Sequence, residues 1–418
     1  MKIRCFSKNS VGLVLLIAAV CCGEEPVDEP TDLGGGFEYI LTDPGKVEIE
    51  VGEKDTKKPD IKAPEAVGGL ADSAWPIFGQ NRQHSGRSSF VGAQDPTIHW
   101  SFAVTGKISA APVIASDGTV YFGAGDSNLY AVSPTGNELW FFKTGGALDN
   151  SPTIGADNLI YVGSYDGKLY SVKDNGIGKW EFNAESPVST SALIDDDGQI
   201  TIGTQSGRVI GVSYFGEQVW EFQTGGSVSS PALMNDGGIV LGSEDNSVYA
   251  LDSNGGLRWF ADLGGDVRAS PVVAEDGTIY VGALAGPVEQ FVALAPDGTK
   301  LWSAQVDGGV EGSPALAADG TVYVASLSGN VYAYNTSGEQ QWVSKIGGGK
   351  AIRTSLTVDA AGVIYSGANN GRLYALNSDG TEKWKVDLGG PVWTAAIIGS
   401  EGSLYAAANG AVHEVGSS

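Results

Sequence analysis

The sequence predicts an all-β protein, specifically an eight-bladed β-propeller built from four-stranded antiparallel blades. Tryptophan recurs with a spacing of 39 to 43 residues, at positions 100, 140, 180, 220, 259, 302, 342 and 384. A ten-residue pattern that ends on this tryptophan, such as ALDSNGGLRW at 250–259, recurs with it. A period near 40 residues is typical of propellers and solenoids, and the internal pattern of each unit distinguishes the two.

One unit, residues 220–259, contains four short strand patterns joined by turns. WEFQTGG is followed by SVSSPALM, GIVLGS and SVYALD, and a glycine-containing turn then leads to the next tryptophan. Asp-Gly pairs at 117–118, 197–198, 236–237, 276–277 and 319–320 favour tight hairpins, because glycine accepts the positive φ of such turns. The strand TIYV at 278–281 is apolar on both faces, which indicates burial between two neighbouring sheets. Four hairpin-linked strands per unit favour a propeller.

The two ends of the repeat region predict how the ring closes. The last unit lacks its outermost strand, whereas the strand around Trp100 has no blade of its own. We therefore expect this N-terminal strand to complete the C-terminal blade, which closes the ring and removes a free edge. The predicted propeller domain spans 73–418, with an irregular lead-in at 73–96 and repeats from 97.

The repeated tryptophans have a predicted structural role. Each indole should link the outer strand of one blade to the next blade, with its N–H donated to a carbonyl. Removing a fully buried tryptophan costs about 3–5 kcal/mol. The residues assigned to this docking role are Trp140, Trp180, Trp220, Trp259, Trp302, Trp342 and Trp384.

The N-terminus has the pattern of an export signal at 1–22. Basic residues precede the apolar run VGLVLLIAAV at 11–20, which is too short to span a bilayer. The run ends at Cys21 and Cys22, and one of these is expected to carry a lipid, as in bacterial lipoproteins; plain secretion is the alternative. Residues 23–72 are expected to form an acidic, mostly disordered tether, with a short strand or hairpin near 46–51.

Composition narrows the range of partners. The formal net charge is −24 at pH 7, so the surface repels phosphate backbones and nucleic acid is not expected as a partner. Membrane contact is expected only through the lipid anchor. All three cysteines lie at or before position 22, so the predicted propeller contains no disulfide.

The pattern A-x-[DNS]-x-x-G-x-x-x-W resembles the tryptophan-docking motif of the eight-bladed propellers related to pyrroloquinoline quinone (PQQ) enzymes. These include quinoprotein alcohol dehydrogenases and non-catalytic relatives, and the resemblance covers 100–415. A lipoprotein with a single propeller is similar in layout to the BamB family, whose members are scaffolds of the machinery that inserts β-barrels into the bacterial outer membrane.

The resemblance also implies what a quinone-dependent member should contain. Such enzymes have a vicinal cysteine pair beside the cofactor, a calcium site and often a CxxCH haem segment. Here the adjacent cysteines lie at the leader boundary, and no CxxCH occurs. Neither catalytic nor cofactor-binding nor metal-ligating residues are assigned, and no cofactor is expected. The acidic run 195–197 falls on a hairpin turn.

The candidate binding site is defined by one equivalent position in each repeat. The residue three before the proline of the S-P pair, or before the residue that replaces this proline, should line one mouth of the central funnel in each blade. This position holds mixed charges and a tryptophan, unlike the uniform serine and glycine elsewhere in the repeat. The candidates are Asp149, Arg268, Glu311, Arg353 and Trp393, with Ser109 and Ser189 at the same position. Solvated loop residues with compensating charges are the alternative interpretation.

These observations favour a monomeric, non-catalytic propeller of the bacterial cell envelope that binds envelope proteins. It would be an outer-membrane lipoprotein facing the periplasm or the cell surface, and a BamB-like role in outer-membrane protein assembly is one version. The alternatives are a propeller that binds PQQ or another small ligand, as in a quinoprotein oxidoreductase, and a cell-surface adhesin or glycan reader.

Overall fold

The computed structural model describes residues 67–284 and 290–418, together with two short backbone segments nearer the N-terminus. The latter are β1 (Ile40–Asp43) and β2 (Lys46–Glu48), which pair antiparallel in the separate unit Met1–Pro64. The export signal, Cys21, Cys22 and most of the expected tether lie outside the described residues. No helix in the described part of the chain is long and apolar enough to cross a membrane.

The unit Glu65–Ser418 contains eight four-stranded antiparallel sheets, which confirms the predicted all-β, eight-bladed propeller. The strand that joins the last blade comes first in the chain, as β3 (Pro96–Ala103). Blades 1 and 2 consist of β4 (Val113–Ile114), β5 (Val120–Gly123), β6 (Asn128–Val132), β7 (Glu138–Lys143), β8 (Thr153–Ile154), β9 (Ile160–Gly163), β10 (Lys168–Val172) and β11 (Gly178–Asn183). Blades 3 and 4 consist of β12 (Leu193–Ile194), β13 (Ile200–Gly203), β14 (Arg208–Val212), β15 (Gln218–Gln223), β16 (Ala232–Leu233), β17 (Ile239–Gly242), β18 (Ser247–Leu251) and β19 (Leu257–Asp262).

The remaining blades follow the same order from the innermost to the outermost strand. Blades 5 and 6 consist of β20 (Val272–Val273), β21 (Ile279–Gly282), β22 (Phe291–Leu294), β23 (Lys300–Ala304), β24 (Ala315–Leu316), β25 (Val322–Ala325), β26 (Asn330–Tyr334) and β27 (Gln340–Lys345). Blades 7 and 8 consist of β28 (Thr357–Val358), β29 (Ile364–Gly367), β30 (Arg372–Leu376), β31 (Glu382–Asp387), β32 (Ile397–Ile398), β33 (Leu404–Ala408) and β34 (Ala411–Ser417), with β3 as the eighth blade's outermost strand.

The eighth blade joins the two ends of the propeller. Strand β3 pairs antiparallel with β34, with Trp100 opposite Glu414 and Ser101 opposite His413. The Ser101 hydroxyl lies 2.8 Å from His413 Nδ1, and His99 Nδ1 lies 3.0 Å from a carboxylate oxygen of Glu414. Backbone pairing and side-chain contacts therefore both hold the N-terminal strand in this blade.

The hydrophobic core lies between blades. The second strand of every blade is buried along its whole length, whereas outer strands alternate between exposed and half-buried residues. This pattern arises because the middle of each sheet is covered by a neighbouring blade on both faces. Because exposure alternates along the outer strands, the indole of each repeated tryptophan faces the next blade.

All the repeated tryptophans except Trp384 contact the glycine turn of the following blade, and Trp384 contacts Ala93 instead. Seven of the eight donate their indole N–H to a backbone carbonyl at 2.7 to 3.1 Å, and these are Trp100, Trp140, Trp180, Trp259, Trp302, Trp342 and Trp384. The turn glycine has a positive φ and lies against the indole. At Gly380, for example, an added Cβ would be 2.6 Å from Trp342, so the turn excludes any larger residue.

Trp220 is the exception, since its buried Nε1 has no partner. The equivalent acceptor would be the carbonyl of Ser253, which instead accepts a hydrogen bond from Gln199 at 2.9 Å. Only Trp220 and Trp384 among the eight are buried, each at 9% exposure. The expected cost of 3–5 kcal/mol for removing a docking tryptophan applies to full burial and is therefore an upper limit for the half-buried ones.

The lead-in is not a loose connection but a strap, residues 67–92, that crosses one end of the ring. Its carbonyls accept the backbone N–H of the last residue of six inner strands. The pairs are Trp75 with Ile114, Pro76 with Ile154, Arg82 with Leu233, Gln83 with Val273, Ser85 with Leu316 and Gly86 with Val358, all at 2.7 to 2.9 Å. The strap thus satisfies amides that would otherwise be unpaired at the end of each inner strand.

The strap also changes the expected boundary of the propeller. Residues 67–72, assigned from sequence to the tether, contact blades 2 and 3. Gly69 donates to the Asp195 carbonyl at 2.7 Å, Ala71 donates to the Ile154 carbonyl at 3.0 Å, and the Ala71 side chain is buried. The packed unit therefore includes residues before position 73.

Candidate functional site

A cavity of about 340 Å³ occupies the centre of the ring. Phe78 of the strap lines it at one end, where the inner strands finish, and forms its floor. The loops that precede the inner strands line the opposite end, which we call the mouth. Because the strap crosses only the first of these ends, the cavity is a one-ended funnel.

The structure brings the sequence-predicted positions together at the mouth. Every blade but the fourth contributes the residue three before the proline position, and these residues are Ser109, Asp149, Ser189, Arg268, Glu311, Arg353 and Trp393. The fourth blade, which is one residue shorter there, contributes Ser227. The equivalence of the blades explains this convergence, since equivalent positions in a ring lie at one height.

The mouth's arginines are paired with carboxylates. The guanidinium of Arg353 contacts the Glu311 carboxylate on the neighbouring blade. Arg268 lies 3.0 Å from Glu244 and 3.5 Å from Asp266. These pairs are partly exposed and add little to stability. Their effect is to fix the direction in which donors and acceptors face the cavity.

The other side of the mouth carries aromatic rings. Burial raises the pKa of Tyr165, and the nearby negative charge of Asp149 raises it further, while Gln205 donates to the phenol oxygen. Trp393 is half-buried, and the ammonium of Lys107 lies 3.9 Å from the centre of its ring. This contact has cation–π geometry.

Three mouth residues were missed by the sequence reasoning: Tyr165, Gln205 and Glu244. They occupy the loop after the second strand of blades 2, 3 and 4, in the segments SYDG, TQSG and SEDN. The residue at this position varies from blade to blade, as does the residue before each inner strand, and this variation is the sequence signal that identifies it.

Below the mouth, serines form a belt that links successive blades. The backbone N–H of Ser151 donates to Ser191 Oγ, and that of Ser191 donates to Ser230 Oγ, at 3.1 and 3.0 Å. Ser270 and Ser313 donate in the same way to Ser313 Oγ and Ser355 Oγ. A serine that accepts a backbone N–H keeps its own O–H for another acceptor. The belt therefore presents hydroxyl donors to the cavity.

Phe78, at the floor of the cavity, packs against a buried histidine. His84 packs edge-on against Phe78, with ring centroids 5.1 Å apart, and its imidazole hydrogen-bonds to the backbone of Pro271. Burial lowers its pKa to about 4, so the ring is neutral at pH 7. Its backbone has a positive φ of 58°, which is uncommon for histidine.

The acidic run at 195–197 is part of a turn. Asp195 accepts hydrogen bonds from the backbone N–H groups of Asp197 and Gln199, and Asp196 pairs with Arg82 of the strap at 2.7 Å. Over the described ranges, no group of three or more His, Cys, Asp or Glu side chains is arranged to hold a metal ion.

Fold and site together define this protein as a single eight-bladed propeller with a one-ended central cavity and a polar, charged mouth. A family model described as "Outer membrane protein assembly factor BamB" matches residues 87–225, 214–350 and 327–415. These matches cover most of the chain. The protein belongs to this family of propellers. A search of curated proteins finds no significant match.

Solved structures share the fold. BamB from Moraxella catarrhalis has a TM-score of 0.63 at 20% identity, covering 77% of this chain and 97% of that one. Quinohemoprotein alcohol dehydrogenase from Comamonas testosteroni has a TM-score of 0.68 at 15% identity, covering 82% and 80%. The computationally designed protein Ika8 has a TM-score of 0.65 at 16% identity, covering 76% and 98%. Because one scaffold serves an assembly factor, an enzyme and a design, the likeness shows the fold alone.

The residues of the cavity do not fit PQQ, the cofactor that the sequence resemblance to the quinoproteins suggests. PQQ is a flat, multiply carboxylated quinone and therefore needs unpaired cations around it. The two cationic side chains that line the cavity, Arg268 and Arg353, are both already paired with carboxylates. Asp149 adds a further negative charge to the lining, so a polyanion would lose its hydration without compensation.

Proposed function

We propose that this protein is a non-catalytic binding propeller of the bacterial cell envelope that presents its mouth to protein partners. The observation that carries the proposal is the concentration of blade-specific side chains at the mouth of an otherwise regular ring. The family match to an outer membrane protein assembly factor supports an envelope role. Assembly of outer-membrane proteins is the specific version of this role.

The charge distribution supports partner binding at this surface. The mouth offers paired donors and acceptors on Arg353, Glu311 and Arg268. Interfaces with charged rims of this sort select partners and fix their orientation more than they add affinity.

The proposed location follows from the N-terminal sequence. A lipid on Cys21 or Cys22 would anchor the protein to the outer membrane, and residues 23–66 would separate the anchor from the propeller. Labelling cells with an alkyne fatty acid tests the anchor. We expect the wild type to be labelled, and we expect one of the two variants, Cys21→Ser or Cys22→Ser, to lose the label. A wild type without label would contradict the lipid anchor. Protease treatment of intact cells distinguishes a periplasmic from a surface location.

Photo-crosslinking tests the partner-binding proposal in living cells. A photoreactive phenylalanine analogue at Gln205, which is exposed at the mouth, should crosslink to envelope proteins that mass spectrometry can identify. The same analogue at Lys173, exposed on an outer turn, is the matched control. Identical crosslinks from both positions, or none from Gln205, would refute mouth binding. Recovery of outer-membrane assembly components from Gln205 alone would support the specific version.

A further inference from the structure

We propose that the central cavity binds a small, neutral, polyhydroxylated ligand, a sugar or a cyclic polyol. The inference rests on the proposed function, because it takes the mouth as a binding surface. It goes further by naming the chemistry of what enters the cavity. The evidence is the combination of a hydroxyl belt, paired arginines and an aromatic wall around one cavity that is open at the mouth.

The size and shape of the cavity set the first limit. Its volume of about 340 Å³ lies at the lower end of small-molecule pockets, which span roughly 300–1,000 Å³. Phe78 closes the floor, so a chain cannot thread through the ring. The cavity therefore suits a compact ligand that enters from the mouth.

The charge balance sets the second limit. Glu311 with Arg353 and Glu244 with Arg268 form two pairs, so neither arginine is available to neutralise an anionic ligand. Asp149 is hydrogen-bonded to Tyr165. An anionic ligand inside the cavity would have to break one of these pairs and leave a charge uncompensated. A neutral ligand can instead hydrogen-bond to them as they stand.

The pattern of hydrogen-bond donors and acceptors sets the third limit on the ligand. The serine belt supplies hydroxyl donors, whereas Asp149 and the two glutamates supply acceptors. A sugar hydroxyl is both a donor and an acceptor, so a ring of such groups matches a wall that offers both.

Trp393 supplies the apolar surface that a sugar ring needs for its C–H face. The ring is half-buried in the cavity wall, and the Lys107 ammonium lies 3.9 Å from its centre. An aromatic ring that is fixed in place contributes contact area at little entropic cost. We therefore assign Trp393 as the platform of the site.

Ligand-observed NMR on the full chain tests the inference, with glucose, maltose, trehalose and myo-inositol as neutral probes. Glucuronate and glucosamine serve as anionic and cationic counterparts of similar size, and a tripeptide represents the other class of ligand. We expect saturable binding of at least one neutral probe. We expect binding of that probe to exceed binding of the charged probes and of the tripeptide.

Variants locate the binding. Trp393→Ala and Glu311→Gln should each lower the affinity for the neutral probe by about tenfold or more. Arg258→Ala removes an arginine whose pair with Asp236, at 2.7 Å, lies outside the cavity, and should leave binding unchanged. Urea unfolding verifies that each variant is folded. No binding of any neutral probe, tighter binding of a charged probe or the tripeptide, or equal effects of all three variants would overturn the inference.

The outcome is separable from that of the proposed function. Crosslinks to envelope proteins from Gln205 without sugar binding would retain the scaffold role and reject the ligand. Sugar binding that depends on Trp393, without crosslinks from the mouth, would retain the ligand and reject the scaffold role.

Discussion

Trp384 donates its indole N–H to the backbone carbonyl of Ala93 at 3.0 Å, across 291 positions of sequence. The contact ties the seventh blade to the segment that leads into β3, the outer strand of the eighth. It therefore adds a second link between the N-terminal segment of the propeller and its C-terminal blades, beside the pairing of β3 with β34.

The energy of this hydrogen bond can be isolated because Trp220 provides a natural control. Both indoles are 9% exposed, but only Trp384 has an acceptor. Trp384→Phe should lower the free energy of unfolding by about 1 kcal/mol more than Trp220→Phe, which is the usual net value of one hydrogen bond. Urea denaturation of both variants measures the difference, and equal losses would contradict a role for the N–H.

The serine belt yields a second test. Ser313→Ala would leave the buried N–H of Ser270 without its acceptor, at a cost of about 1–3 kcal/mol. Ser189→Ala removes a hydroxyl that has no protein partner, so it should change stability by less than about 0.5 kcal/mol. Thermal unfolding compares the two. A belt that does not link blades would give two small and similar shifts.

The strap makes a third prediction through its glycines. An added Cβ at Gly86 would lie 2.8 Å from the Leu356 carbonyl oxygen, whereas one at Gly69 would meet nothing within 4 Å. Both residues have positive φ, so both alanine variants carry a backbone cost of about 1 kcal/mol. Gly86→Ala should be clearly the more destabilising. It should also speed hydrogen exchange at Val358, whose N–H donates to the Gly86 carbonyl.

Lowering the pH should reduce the free energy of unfolding through protonation of His84. Its folded pKa is lowered by burial to about 4 from an ordinary value of 6.5. The unfolded chain therefore binds the proton more tightly between these values. Stability from this group is complete above pH 6.5 and is lost as pH falls toward 4, by roughly 3 kcal/mol. Burial lowers the pKa of His413 as well, so that residue contributes in the same direction.

His84→Asn is the variant that isolates the effect, since asparagine tolerates positive φ and does not titrate. We expect a flatter dependence of unfolding free energy on pH between 4 and 7 in the variant, with the contribution of His413 retained. Parallel pH profiles for variant and wild type would show that His84 is not the group responsible.

The repeat pattern was sufficient to predict the architecture. A tryptophan every 40 or so residues, Asp-Gly turns and doubly apolar strands are local features, and each acts within one blade or between adjacent blades. The same local logic placed Asp149, Arg268 and Trp393 at one mouth, because equivalent positions in a ring converge regardless of which residue occupies them. The prediction of eight sheets is confirmed for this reason.

The strap, the cavity floor and the pairing of charges were decided by the tertiary structure alone. Residues 67–92 have no periodicity, and their hydrogen bonds go to six strands that are far away in sequence. No local sequence pattern therefore predicts these hydrogen bonds. Likewise, Arg268 pairs with Glu244 and Arg353 with Glu311 from different blades. Repetition encodes what recurs from blade to blade, whereas contacts made once, across the ring, depend on how the closed ring brings distant segments together.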